Sequence, residues 1–382
     1  MQGQHGGRRA IGAMAAAALL LAAGACGGRA ALSEDTQPTT TTAAATTTTA
    51  GTTTTTRPAV KKRAVIAAPA RRKAAVRQDP RCPLTGLPAP GGHVPQRAAV
   101  AVKVENLPVA RPQWGLDTAE IVFEEPVEGG ITRFIALWQC TSAARIEPVR
   151  SVRLVDPKIL EPLGRMLFSF SGGIEPAVAQ IDANNSLLCD VGGYKASGAY
   201  WYDPTRQAPH NFVTSTSALY AAAAALHCPE KPPTAIFSYG PPVLGGSPAA
   251  VVNISWPLDV TTWTWHPDTG LWYRSYSDTG LALQGDGHQI TASNVVVMFV
   301  EEHPTPWPED DTGALENDLA LKGTGPAMVF RDGTVFFGQW ERPLLDHPAV
   351  FIDKKSGATI TLTAGNTWEE LVPYGLNVSV RP

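Results

Sequence analysis

Apolar residues recur along this chain with two periods, and the switch between them divides it. "AAVAVKVEN" (98–106) alternates as a strand does, "AEIVFEEPV" and "ITRFIALWQ" read as two strands around Gly129-Gly130, and "RMLFSFSGG" is an apolar run closed by glycines. Helices are predicted after Asp156-Pro157, after Glu175-Pro176 and across "TSTSALYAAAAALH", each opened by a capping residue or a proline in its first turn. Strands and helices thus alternate over residues 82–228, which predicts a mixed α/β (α+β) layer domain. Beyond "CPEKPPT" the period stays at two. "TTWTWHPDTGLWYRSY" predicts a hairpin, "NVVVMFVEE" a buried strand, "AMVFRDGTVFFGQW" a hairpin turning at Asp332-Gly333, and "VFIDKKSGATITLT" another. Residues 234–375 are therefore expected to form a mainly antiparallel β domain, with helix at most in "TWEELVP", followed by a tail at 376–382. Pro-Pro pairs at 232–233 and 241–242 bracket the boundary.

The first 81 residues follow neither period. Arg8 and Arg9 precede an uncharged apolar run over 11–23, too short for an ordinary membrane-spanning helix, so residues 1–25 read as an export signal. The run ends in "LAAGAC", a pattern of small residues before a cysteine that resembles the lipobox of bacterial lipoproteins. Cys26 would then carry the lipid, and the membrane would be a partner through that anchor. Residues 26–81 read as a disordered tether: nearly all Thr and Ala over 36–56, then nine Lys/Arg over 57–81 against the single acid Asp79. Such a basic stretch near an anchor suits anionic head groups or wall polymers, as well as simple solvation.

Charge narrows the partners of the folded part. The 382-residue chain has a formal net charge of -3, but from Cys82 onward it holds 31 acidic and 19 basic residues, which argues against nucleic acid. Of five cysteines, Cys82, Cys140, Cys189 and Cys228 remain once Cys26 is set aside. An even number in an exported chain favours disulfides over free buried thiols. Three connectivities are open, with Cys82–Cys140 and Cys189–Cys228 preferred.

The candidate chemistry centres on arginine. If Gly129-Gly130 make a two-residue turn, Glu128 faces Ile131, Pro126 faces Arg133 and Glu124 faces Ile135. Glu124, Glu128 and Arg133 would then share one face of the hairpin. An arginine among apolar neighbours needs pairing, so this reads either as a fold-holding ion network or as one edge of a site. Arg150 and Arg153 in "EPVRSVR", and Arg206 with His210 and Asn211 in "DPTRQAPHN", lie in proline-restricted loops of the kind that present binding groups. Converging guanidinium groups would make an anion pocket, to which "FSGGIEP" could add backbone N–H groups. Scattered histidines without metal-ligand spacing predict no metal site, and no cofactor motif is present. The Asp-Thr-Gly tripeptides lack the preceding strand that a protease needs, and Trp263, Trp265, Trp272 and Tyr273 fit a core better than a sugar platform.

Taken together, "PLTGLP", "VKVEN", "ARPQWGLDTAEIVFEEPVEGGITRF", "EPVRSVR", "SGG", "APHN", "NVVV", "DGTVFFGQW" and "GNTWEELVP" closely resemble the YerB-like bacterial lipoproteins. That family pairs two domains of unknown function in this order, and the likeness runs from about Cys82 to Pro373. Glu105 and Glu120 stand where the family commonly has Asp, each keeping the carboxylate. The resemblance implies a membrane-anchored envelope protein and brings no established reaction. Glu105, Asn106 and Arg111 of the matching motifs join the candidate binding set, and no catalytic residue is assigned. The expectation is a lipid-anchored extracytoplasmic protein binding an anionic envelope ligand. The alternatives are a hydrolase or transferase acting on such a ligand with His210 or Glu128 as acid or base, and a scaffold for envelope proteins.

Overall fold

The computed structural model describes residues 79–241, 245–309 and 313–382. The export signal, Cys26 and nearly all of the tether lie outside the described residues. The first half supplies β1 (Val100–Glu105), β2 (Ile121–Pro126), β3 (Thr132–Trp138), helix α1 (Asp156–Leu160), β4 (Met166–Ser169), helix α2 (Glu175–Ala183), β5 (Leu188–Asp190), the ribbon β6 (Tyr200–Tyr202) and β7 (Phe212–Thr214), and helix α3 (Thr216–Ala225). Helix α3 starts where its sequence says it should: the Ser215 side chain accepts a hydrogen bond from Ala218 N–H.

The second half is strand-rich: β8 (Ser247–Pro248), β9 (Val251–Ser255), β10 (Val260–His266), β11 (Leu271–Tyr276), β12 (Gly280–Leu281), β13 (Thr291–Ala292), β14 (Asn294–Pro308), β15 (Leu315–Ala320), β16 (Gly323–Arg331), β17 (Thr334–Arg342), β18 (Val350–Asp353), β19 (Thr367–Pro373) and β20 (Val378–Arg381). Arg331 pairs with Thr334 across Asp332 and Gly333, both at positive φ, 48° and 67°. That is the turn an Asp-Gly pair predicts.

The two halves share one sheet. Its strand order is β18-β17-β16-β14-β19-β2-β3-β1-β4-β5, with β15 and β8 attached off this path. The division expected near 228–234 is thus a change of sequence texture that the sheet crosses. The bridge is β19, which runs parallel to β14 on one side and to β2 on the other. This corrects the helix expected at "TWEELVP": all seven residues of β19 are buried, so the segment is a central strand. Its Thr and Glu residues mimic a helix start, but a strand covered on both faces loses the alternation that would reveal it.

Two cores flank this sheet. On one face α1 and α2 cover Phe123, Ile135, Phe168 and Met298. On the other lies a second sheet, β12-β11-β10-β9-β20 with β13, together with α3. The sheets meet through aromatic edges: Trp263 and Phe134 each pack against Trp368, at 5.3 and 5.2 Å, and Trp272 against Phe330 at 5.6 Å. Trp263 and Trp272 are therefore core, as expected. Disulfides join Cys82 to Cys140 and Cys189 to Cys228, the preferred pairing.

Candidate functional site

The hairpin that opened the chemical argument has a different register from the expected one. Glu125 pairs with Arg133, Glu124 with Phe134 and Pro126 with Thr132, because the connection is a single 3-10 turn over Glu128–Gly130 rather than a two-residue turn. Val127 N–H donates to Ile131 O and closes it. A slip of one residue moves every side chain to the other face. Glu124 and Arg133 therefore lie on opposite faces, and the expected three-residue cluster does not form.

On the face toward the second sheet, Glu124 meets Arg274 of β11. The Arg274 guanidinium, with no exposed surface, donates from Nη2 to Glu124 at 2.6 Å and from Nη1 to Glu370 at 3.1 Å. Trp263 Nε1–H also donates to Glu370. Burial and the adjacent Glu124 push the Glu370 carboxyl well up, and one cation serves the two acids. Burial alone would pull Arg274 down, but Glu124, Tyr276 and Glu370 outweigh it and raise it. Asn106 joins this network: its amide donates to Glu124 and Thr132, and its oxygen accepts from Arg111, Gln113 and Tyr276. Arg111 lies 3.5 Å over the Tyr276 ring and pairs with Asp259 and Asp278 at 2.9 and 2.8 Å. Glu124, Asn106 and Arg111 thus fasten the two sheets together.

Sequence reasoning missed Arg274 and Glu370. In "LWYRSY" the period-2 rule places Arg274 on the face of Trp272 and Tyr276, which was the available signal for a buried cation.

On the opposite face the remaining candidates gather near the end of β1. Glu128 pairs with Arg153 through Nε at 2.9 Å and through Nη2, and with Arg133 at 3.6 Å. Arg153 also meets Glu309 at 2.9 Å. Burial would raise the Glu128 carboxyl, but Arg133 and Arg153 hold it below the usual range, which leaves it ionised and a poor proton donor. Arg133 is less well served. It is buried, its Nε has no hydrogen-bond partner, and its Nη1 reaches Ser151 O only at 3.5 Å. Burial and then the neighbouring Arg153 pull it down to about 9, with Arg150 adding to the effect.

Arg150 is placed by backbone bonds at the carboxyl ends of the parallel strands β1 and β4: its N–H donates to Lys103 O, and its carbonyl accepts from Ser171 N–H. Its Nε lies 3.4 Å from the buried Glu105 carboxylate, whose other oxygen is 2.9 Å from His210 Nδ1. A cavity of about 340 Å³ opens here, bordered by Arg150, Gly172, Gly193, Tyr194, Tyr202 and Asn211. This lies outside the carboxyl ends of parallel strands, where open sheets commonly place ligands, and it has the size of a small-molecule site. Arg206 does not reach it. Its guanidinium is consumed by the carbonyls of Ala110 and Pro112 and by Glu147 at 3.3 Å. The expected four-arginine pocket is therefore smaller: Arg150 faces the cavity, Arg133 lies within electrostatic reach of Arg150, Arg153 is neutralised and Arg206 is structural. Tyr194 and Tyr202 were not singled out by sequence, since Tyr194 lies in a turn and β6 is too short to show a period.

A protein of this architecture is an α/β half and a β half joined through one sheet, with a groove bordered by Arg150 at the strand ends of the first. Two family models describe it in that order, the "Protein of unknown function (DUF3048) N-terminal domain" over residues 84–228 and the corresponding C-terminal domain over residues 252–368. The chain belongs to this family. It is 27% identical over 304 residues to "Putative lipoprotein YerB" of Bacillus subtilis (strain 168), covering 77% of this chain and 86% of that one. The crystal structure of YerB from Bacillus subtilis matches with a TM-score of 0.65 and 24% identity over 78% of this chain and 99% of that one, so the fold is shared.

Proposed function

We propose that this chain is a lipid-anchored protein on the outer face of the cytoplasmic membrane whose first half binds an anionic group of the cell envelope, such as that of a wall polymer or a lipid-linked precursor, in the Arg150 groove. The anchor would be Cys26, a reading supported by the lipobox-like "LAAGAC" and by the name of the Bacillus relative. The observation that carries the binding reading is the half-buried Arg150 guanidinium on the wall of the cavity. Its inner Nε faces Glu105 at 3.4 Å without a hydrogen bond, and Arg133 behind it has its nearest acid at 3.6 Å, so neither cation has a close partner. An incoming anion would supply one on the open side of Arg150.

The test is calorimetric titration of the full chain with inorganic phosphate and with solubilised wall polymer, for the wild type and Arg150→Ala. A charge-assisted hydrogen bond of about 1.5–3 kcal/mol predicts a loss of roughly ten- to a hundredfold in affinity. Unchanged affinity in a folded Arg150→Ala protein overturns the reading. For the anchor, Cys26→Ala should abolish incorporation of a labelled fatty acid.

One observation favours a second, enzymatic reading. His210 Nδ1 is held by a buried carboxylate, which leaves Nε2 as the exchangeable position, the arrangement of a general base. It requires turnover of a wall-derived substrate that disappears in His210→Ala while binding persists.

A further inference from the structure

Two tyrosines border the Arg150 groove in a way that anion binding alone does not explain. Tyr194 is 84% and Tyr202 67% exposed, and neither hydroxyl has a hydrogen-bond partner among the described residues. A large ring left in water forgoes the gain of burial, and here two do so at one concave site.

One of the two rings is held in place. Tyr194 stands exposed beside Gly172, where φ is +69° and a Cβ would lie 3.6 Å from its ring. Tyr202 packs on Phe212 at 5.2 Å, and Phe212 stacks flat on Tyr200 at 4.7 Å. Tyr200 is fixed in turn: its hydroxyl donates to Val191 O and accepts from Ser169. The Tyr202 side of the groove is therefore built on the β6–β7 ribbon and tied to the ends of β4 and β5, so that ring needs little ordering when a ligand arrives.

We infer that the groove binds a sugar ring carrying an anionic substituent, phosphate or carboxylate, with the ring against Tyr194 and Tyr202 and the charge on Arg150. This rests on the reading of Arg150 as the anion-binding group. A sugar offers an apolar C–H face to an aromatic ring and hydroxyls to polar neighbours. The groove matches both needs, with tyrosines beside the Asn211 amide and the glycine backbone at 172 and 193. A purely apolar ligand would strand the Arg150 charge. A nucleic acid would meet a body with 31 acidic and 19 basic residues.

The experiment titrates the full chain in detergent with glucose 1-phosphate, glucuronic acid, glucose and inorganic phosphate. Both charged sugars are expected to bind at least tenfold more tightly than glucose or phosphate. Tyr194→Ala and Tyr202→Ala should each weaken the charged sugars by about three- to tenfold and leave phosphate unchanged, while Tyr194→Phe retains binding. Arg150→Ala should weaken charged sugars and phosphate alike. If phosphate binds as well as the sugars and the tyrosine variants change nothing, the anion pocket survives and the sugar inference is overturned. If glucose binds as tightly as its charged counterparts, or if no probe binds, both readings fall together.

Discussion

Replacing Arg274 by methionine removes the cation that joins the two sheets and keeps most of the side-chain volume. The side chain has no exposed surface, and its guanidinium sits 4.8 Å from the Trp368 ring and 5.3 Å from that of Trp263, so no water can take its place without opening the core. Glu124 would be left with Thr132 at 2.5 Å and Asn106 at 3.2 Å as its donors, and with no counter-charge. Removing one partner of a buried pair costs roughly 3–5 kcal/mol, so a loss of about 4 kcal/mol at pH 7 is expected in urea unfolding followed by tryptophan fluorescence. Without Arg274 a buried carboxylate has no cation beside it, which is where the loss arises. Adding Glu124→Gln removes the stranded charge and should restore about half of the loss. A cost below about 1 kcal/mol, unrelieved by the second change, would refute the view that this ion network is what fastens the sheets.

Other expectations are brief. Glu316 and Glu369 are both pushed up to about 7, chiefly by burial. The stability they permit is complete below about 4.3 and is lost as pH climbs through 7, so the urea midpoint should fall between pH 5 and 8. Glu369→Gln should flatten part of that fall, and an unchanged slope would count against the assignment. Replacing Cys189 and Cys228 by alanine reopens a loop with a sequence separation of 39, and should cost about 3 kcal/mol in thermal or urea unfolding. Gly333→Ala puts a side chain at φ +67°, in the turn between β16 and β17, within 2.6 Å of Trp265 Nε1; a loss of at least about 1 kcal/mol is expected, and a neutral result would mean the turn can relax.

Much of this fold was legible because its local signals agree with its tertiary role. Asp332-Gly333 forms a tight turn wherever it joins two apolar alternating runs, and Ser215 caps α3 by a bond between residues three apart. The failures occurred where a distant partner decides. The segment at 367–373 is a strand because β14 and β2 flank it, and nothing within the seven residues encodes those neighbours. Likewise Arg206 looked like a ligand-binding cation because its partners are backbone carbonyls of residues 110 and 112, which carry no sequence signature.

The register of the hairpin carries the larger consequence. With a two-residue turn, Glu124 would have neutralised Arg133, and the first domain would have held one balanced cluster. The three-residue 3-10 turn instead sends Glu124 to Arg274 and turns Arg133 to the face of Glu105, its partner across β1. Arg133, Arg150 and Arg153 then share Glu105 and Glu128 within the first half, and Glu309 reaches across from the second half to Arg153. Glu128 and Glu309 both hold Arg153, while Glu125 and Asp156 are taken by Lys103, so Arg133 and Arg150 keep the longer ion pairs, at 3.6 and 3.4 Å, and Arg150 is the one that borders the cavity. A single extra residue in a turn therefore turns Arg133 away from Glu124 and toward Glu105 at the carboxyl ends of β1 and β4, beside that cavity.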